Sequence, residues 1–396
     1  MDRRLEGLQV YRVGGAVRDA LLGWPVYDND WVVVGTTPED MRRRGFRAVG
    51  RDFPVFLHPD THEEYALART ERKSGHGYGG FVMHASPDVT LEEDLARRDL
   101  TINAMAEDSD GKLHDPYQGR VDLETRVLRH VSPAFIEDPL RVLRTARFLA
   151  RYAGLGFVIA EETQALMRRI VESDELNHLA AERIWTETEK ALGEPHPEAY
   201  FRALHACGAL VRVMPELFEV PVDEITGDEP GVQTSESEKD AFLKTFLARL
   251  QQVPETDIPL AHWRYARLVE SLPEEKRQAL AMRLRLPNNV ARLARHTAAS
   301  RELLEAFEMT SRLVPEQVMA WLDRLDAWRK PRQVEGQLAW MMCQAPALGK
   351  RLAHGWGAAS RVEVKPLLEQ GYKGKSLGEA LADARRQAVA QALGPA

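Results

Sequence analysis

At Pro133 the hydrophobic pattern of this chain changes period, and that change limits the folds open to it. Upstream, short β-branched runs (LQVYRVGG, DNDWVVVG, FPVFLH, EYALART) alternate with the helix-like pieces AVRDALLG and TPEDMRRRG, the pattern of a mixed α/β domain. Downstream, EDPLRVLRTARFLARY, AEETQALMRRIVES and AAERIWTETEKAL repeat apolar residues at the helical period, and the remainder reads as helix. Strands confined to the first third predict an α+β organisation: a head built on a mixed β-sheet, followed by all-α domains. The expected divisions are a head over 1–130, a helical neck over 131–219, an acidic linker or loop over 220–240, and a helical body and tail over 241–396. The linker is read from VPVDEITGDEPGVQTSESEKD, which has little to bury. A weaker break falls at Pro287 and Asn288, ahead of a new amphipathic helix, and no internal repeat is present.

No run approaches the roughly 20 apolar residues of a membrane span, and the opening MDRRLEGLQVYRVGG has no apolar core of a secretory signal. The expectation is a cytoplasmic protein with no membrane partner, a monomer being the favoured state. Cys207 and Cys343 are far apart and lack metal-ligand spacing, so they are expected to be packing residues. A net charge of -7 argues against a protein that coats nucleic acid. Arginines are nevertheless clustered, in MRRRGFR, in ARRDLT, and at Arg141, Arg144, Arg147 and Arg151. That combination suits an enzyme that grips one end of an RNA and then releases it.

Four short motifs carry chemistry. In YDNDWVVV, side chains two apart on a strand point to one face, so Asp28 and Asp30 would present paired carboxylates. Hard oxygen ligands of this kind suit Mg²⁺, which completes its shell with water and substrate phosphates; a polar turn before a strand is the alternative. Upstream, Gly14 and Gly15 follow a strand and precede a helix, where backbone N–H groups approach a phosphate and Arg18 reaches the same anion. A simple tight turn is the alternative there. In RRDLTINAM, Arg98 would meet a triphosphate or ribose, while Asp99, Thr101 and Asn103 would brace the junction to the next domain; the alternative is a charged helix N-terminus capped by Asp. In EDPLRVLRTAR, Asp138 and Arg141 stand three apart at a helix start, with Arg144 and Arg147 continuing the line. An acceptor beside a donor would accept the amino group and ring nitrogen of cytosine or adenine and reject uracil and guanine. An i,i+3 surface salt bridge is the alternative.

In order and spacing, GGAVRD, DND, RRDLTINA and EDPLRVLRTARF together resemble the class II tRNA nucleotidyltransferase (CCA-adding) family of the polymerase-β-like superfamily, with the likeness close from residue 11 to about 215. The resemblance implies a head, neck, body and tail, the helical parts holding the tRNA acceptor end. It implies Mg²⁺ on Asp28 and Asp30, which would be the catalytic pair. ATP or CTP would lie against Gly15, Arg18 and Arg98, with Asp138, Arg141, Arg144 and Arg147 from the neck. Glu64 would be a further carboxylate near the metal, and ARTERKSGHGYGG (Ala68 to Gly80) matches the loop associated with the switch from C to A addition. HLAAERIWTETEKAL resembles the family's later Glu-Arg motif, at Glu182, Arg183 and Glu187, and Gly371 to Arg385 its tail segment, with lysines expected on tRNA phosphates.

Bacterial poly(A) polymerases share such a head and are the nearest rival reading. Theirs resembles a Gly-Arg-Arg-Phe type run where this chain has GRDFPVFLHP, and this chain lacks a basic C-terminal extension. An enzyme adding only CC or only A, and a non-catalytic tRNA-end binding protein, complete the alternatives. Many similar members carry a metal-dependent HD phosphohydrolase domain after the neck. The His-Asp pair here is His114-Asp115, within the head, and neither His262 nor His296 is followed by Asp, so phosphohydrolase activity is expected to be lost.

Overall fold

Valines 32, 33 and 34 organise the first domain, because a run that is apolar on both faces needs cover on both. The computed structural model describes residues 2–49, 55–73, 81–218 and 246–394. Strand β2 (Asp30–Val34) lies between β1 (Gln9–Val13), which is antiparallel to it, and β5 (Glu64–Leu67), which is parallel. With β3 (Arg47–Val49), β4 (Val55–Leu57), β8 (Ala106–Glu107) and β9 (Leu113–His114) they form a seven-stranded mixed sheet of order β3-β4-β5-β2-β1-β8-β9. Successive strand residues face opposite ways. Val32 accordingly packs with Val13, Ala68, Leu95 and Ala106, whereas Val33 packs with Met41, Phe46, Phe56, Tyr65 and Leu67.

EYALART does not stay one strand. After β5, the Ala68 N–H closes on the Val33 carbonyl, and β6 (Arg69–Lys73) leaves the sheet to pair antiparallel with β7 (Phe81–Ala85). The expected mobile loop from Ala68 to Gly80 therefore begins as a strand; its residues 74–80 lie outside the described residues. The MRRRGFR cluster is also not the free basic surface the sequence suggests. In the short helix α2 (Pro38–Arg43), Arg43 and Arg44 pair with Asp40 and Arg42 with Glu39, so these arginines are neutralised by their own helix.

Helices α1 (Gly15–Leu21), α3 (Leu91–Ala96) and α4 (Gly119–Thr125) complete the head. The neck follows with α5 (Leu140–Tyr152), α6 (Glu161–Glu172), α7 (Ala181–Gly193), α8 (Pro197–Ala206) and α9 (Ala209–Val213). Head and neck belong to one compact unit, Met1–Pro215, and Glu216–Ala396 is a second. The second unit is helical among its described residues, and several of its helices open on proline, which fixes φ where no N–H is needed. The expected acidic linker over 220–240 lies outside the described residues. Cys207 is buried, and burial pushes its thiol above the ordinary range; Cys343 is exposed, so only the first is the packing residue expected.

Helix α4 meets the TIN turn (Thr101–Asn103) so closely that its first residue has room for hydrogen only: a Cβ on Gly119 would lie far inside van der Waals contact with the Thr101 carbonyl and 2.9 Å from Met105 Cγ. Gly119→Ala is expected to destabilise the first unit by about 1–3 kcal/mol through overpacking, read as a lower urea midpoint with an unchanged m-value.

Candidate active site

Strand register assembles this site. Val13 at the end of β1 pairs with Asp30 at the start of β2, and on the other side Asp30 pairs with Glu64. The chain turns out of β1 at Gly14, so the glycine turn, Asp30 and Glu64 share one end of three adjacent central strands. Gly14 adopts φ 66° and ψ -125°, a conformation open in practice to glycine alone, and a Cβ there would lie 3.0 Å from an Arg98 terminal nitrogen. Its N–H donates to the Met105 carbonyl.

Asp28 does not stand on the strand, contrary to the two-on-one-face reading. β2 begins at Asp30, and Asp28 lies in the coil before it, where Asn29 donates to Glu63 at 3.1 Å and Trp31 stacks on Tyr65. The two carboxylates are still close enough to interact. Loss of hydration around the Asp30 carboxyl raises it above its ordinary value, Arg98 opposes the rise, and Asp28 adds to it. Among the described residues, neither Asp28 nor Asp30 has a hydrogen-bonded or ion-paired side chain, although both present surface to solvent. Two neighbouring carboxylates without a protein cation in contact fit a divalent ion, and Glu64 can supply a third oxygen ligand from the next strand.

A second acidic group, Asp2, His58 and Asp60, has ligand atoms within 4.8 Å of one another but is already satisfied. Arg4 bonds both Asp2 and Asp60, His58 Nε2 meets Asp2 at 2.7 Å, and its Nδ1 accepts two backbone N–H groups. A guanidinium holds the place that an ion would take.

Behind the glycine turn the polar groups form one network. Asn103 Oδ1 accepts from Arg18 at 2.5 Å, its carbonyl accepts from Arg98 at 3.4 Å, and its amide donates to Asp99 at 3.0 Å. Arg18 is 4% exposed: besides Asn103 it pairs with Asp19, and its guanidinium lies over Phe148 and Tyr152 of α5. Asp19 also receives Arg151 and the Tyr152 hydroxyl, fastening α1 to the neck. Asp99 receives Arg144 at 2.7 Å and the Leu100 N–H. Burial alone would raise the Asp99 carboxyl, but Arg144, Asn103 and Arg141 outweigh it and hold the group well below the usual carboxylate range. The alternative of an Asp-capped helix start at RRDLTINAM does not hold. Arg97 caps the C-terminus of α3, and TIN is a single 3₁₀ turn.

In the neck, Asp138 and Arg141 are not one continuous helix face. Asp138 is extended and precedes α5; one oxygen accepts the Leu140 N–H at 3.0 Å and the other meets Arg183 of α7 at 3.4 Å. Arg141 is buried and donates to the backbone carbonyls of Ala134 and Arg97. Arg144 and Arg147 reach inward to buried Glu187, Arg147 at 2.7 Å and Arg144 at 3.9 Å. These residues are therefore neither a solvated salt bridge nor a row of free cations.

Asp94 is the residue that sequence reasoning missed. It is fully buried, and its two oxygens receive Arg97 at 2.8 Å, Arg98 at 3.2 Å and the backbone N–H of Arg69 at the start of β6. Burial would raise its carboxyl, yet Arg97 and Arg98 win and lower it. The available signal was spacing: Asp94 stands three and four residues before Arg97 and Arg98, the separation that brings side chains together at the end of a helix such as α3.

A mixed-sheet head carrying a glycine turn, two arginines and a pair of uncompensated aspartates defines a nucleotidyltransferase. The family model described as the poly A polymerase head domain matches residues 10–129, and one described as a probable RNA- and SrmB-binding site of polymerase A matches 156–220. The chain is 49% identical over 391 residues to a CCA-adding enzyme of Pseudomonas putida strain F1, and 50% identical over 391 residues to a multifunctional CCA protein of Pseudomonas putida strain KT2440; each alignment covers 96% of this chain and 98% of the relative. Among solved structures, it is similar to the Bacillus stearothermophilus CCA-adding enzyme in complex with CTP, with a TM-score of 0.66 at 25% identity over 98% of this chain and 90% of that one. The chain belongs to the CCA-adding enzyme family.

Two expectations follow for the carboxylates. A carboxyl raised in the folded state disfavours its ionised form there, so Asp30 costs stability above its raised pKa and nothing below the unfolded value. Asp30→Asn should raise the metal-free melting temperature at pH 7, by the equivalent of no more than about 1 kcal/mol because solvent screens the group. That gain should vanish at acid pH, and nucleotide incorporation should be lost. Asp94 has the opposite sign: its stabilisation is present above the unfolded pKa and fades as pH falls through the lower folded one. Asp94→Asn should cost about 3–5 kcal/mol by leaving Arg97 and Arg98 uncompensated, and should raise KM for the triphosphate if Arg98 grips it, measured by denaturation and steady-state incorporation.

Proposed function

We propose that this chain builds and repairs the 3′-terminal CCA of tRNA from CTP and ATP without a nucleic-acid template, releasing pyrophosphate. Identity near one half along almost the whole of two curated CCA proteins carries the reading. The site's chemistry supports it. In this reading the terminal 3′ hydroxyl of the tRNA attacks the α-phosphorus of the incoming nucleotide, the bond to the β-phosphate oxygen breaks, and pyrophosphate leaves. Asp28 and Asp30, with Glu64 beside them, would hold Mg²⁺, which lowers the pKa of the attacking hydroxyl and neutralises the leaving group when bound. The Gly14–Gly15 turn and Arg98 would hold the triphosphate, and Arg18 would anchor that turn from beneath through Asn103.

Base choice falls to the neck. Asp138 would accept the exocyclic amino group of C or A, and Arg141 would donate to the neighbouring ring nitrogen. Arg144 and Arg147 would keep α5 in place through Asp99 and Glu187. The second unit would take the tRNA, with the exposed Lys373 and Lys375 near phosphates, and the enzyme would act in the cytoplasm without phosphohydrolase activity.

The test uses purified protein, tRNA ending at the discriminator base, Mg²⁺, and labelled triphosphates singly and in pairs. CTP alone should add two C residues, and a terminal A should require both nucleotides. Long A tails would favour a poly(A) polymerase, and no incorporation a tRNA-end binding protein. Asp138→Ala should relax selectivity against UTP and GTP by tenfold or more while changing triphosphate affinity less; unchanged selectivity would remove the base-reading role.

A further inference from the structure

Several arginines of the second unit are paired with a carboxylate. Arg267 meets buried Glu270 at 2.7 Å, Arg301 meets the same carboxylate at 3.0 Å, Arg283 meets Glu216 at 2.7 Å, and Arg324 meets Glu302 at 2.5 Å. Among the described residues, three arginines that form no ion pair lie together. Between α10 (Glu274–Arg283) and α11 (Asn288–Thr310), Arg277, Arg292 and Arg295 line a recess of about 290 Å³ with Tyr265, Asn288 and a single carboxylate, Glu274. Among the described residues Arg292 and Arg295 form no ion pair, and the buried Nε of Arg277 has no hydrogen-bond partner. Another nitrogen of Arg277 donates to the Leu272 carbonyl, which aims the fork, and Glu274 is already engaged by the Gln278 amide at 2.9 Å.

We propose that this recess is a phosphate-binding site, taking a phosphate monoester, diester or inorganic anion. Three guanidinium groups against one carboxylate leave an uncompensated positive field. Guanidinium forks match phosphate oxygens with paired N–H donors, while Asn288 supplies a neutral donor on the same wall. His296, next to Arg295 on α11, is held down to about 4, first by burial and then by Arg295 and Arg292 with Asp326 opposing, so it stays neutral and leaves the arginines as the charged groups. The volume accommodates a phosphate with part of an attached sugar, so the anion can be a free phosphate or a phosphate of an RNA backbone.

The experiment compares the full chain with the Arg292→Gln/Arg295→Gln variant, so that phosphate binding in the head, common to both, cancels. Both side chains lie at the rim, and an equal ligand-free melting temperature verifies the fold. Inorganic phosphate and pyrophosphate are titrated by calorimetry, and affinity for tRNA lacking CCA is measured between 50 and about 200 mM salt. A saturable phosphate event present in the parent and weakened tenfold or more in the variant supports a free-anion site. A tRNA salt slope shallower by about 1–2 in the variant supports a backbone phosphate as the occupant. Parent and variant indistinguishable in both titrations overturns the proposal, and so does a slope change that Arg386→Gln, an exposed arginine paired with Asp383 and outside the recess lining, reproduces.

Discussion

A buried carboxylate, Asp99, ties the head to the neck alongside the contacts of Asp19 with Arg151 and Tyr152. Asp99 lies at the end of the RRD motif, 6% exposed, and only charge-assisted partners can hold an ionised group there. Arg144 from α5 supplies the charge and Asn103 the amide. Because Asn103 also binds Arg18 and Arg98, the same contact that docks the neck fixes the two arginines behind the glycine turn. Remove Asp99 and three guanidinium groups lose their common reference. A buried pair of this kind contributes little net stability compared with apolar packing, but it is costly to break, which suits it to fixing geometry more than to strengthening the fold.

Much of this was legible in the residues. The change of period at Pro133 separates sheet from helix, and the apolar run at Val32 to Val34 marks the doubly covered central strand, because these are local patterns. The glycine turn was legible for the same reason. What the pattern could not fix was which partner each charge would choose. Arg42, Arg43 and Arg44 look like an RNA grip until Asp40 and Glu39 are seen to take them. Arg144 and Arg147 look like a basic row until Asp99 and Glu187, 45 and 40 residues away in sequence, claim them. Asp28 was placed on the strand because alternation carries no mark of where pairing stops. Its end is set by the register of β1, whose last residue pairs with Asp30.

Pairing also sets the proposed catalytic end of the central strands apart. Asp19, Asp94, Asp99 and Asp122 each meet an arginine. Asp28 and Asp30 have no such partner among the described residues, and they lie where the chain turns out of β1 at Gly14. Loss of hydration and the neighbouring Asp28 both raise Asp30, which is the electrostatic state that a bound cation would relieve. The Asp2, His58 and Asp60 group makes the contrast: its residue types look more like a metal site, but its lone pairs are taken and Arg4 neutralises its charge.

Rigidity of the neck bears on how side chains can stand in for a template. A side chain discriminates between bases only if it cannot turn to suit each one. Asp138 is held by the Leu140 N–H and by Arg183, and Arg141 by two backbone carbonyls, one of them at Arg97 in the head. Both are therefore oriented by groups that do not depend on the nucleotide, which is the condition for rejecting a base whose donors and acceptors are reversed. The Arg97 link adds a further consequence. Its side chain is held by Asp94, and Asp94 also takes the first N–H of β6, so one buried carboxylate touches both the head hairpin and the residue whose carbonyl accepts from Arg141. In the proposed base-reading role Arg141 therefore rests on the same carboxylate that anchors that hairpin, one that no motif announced.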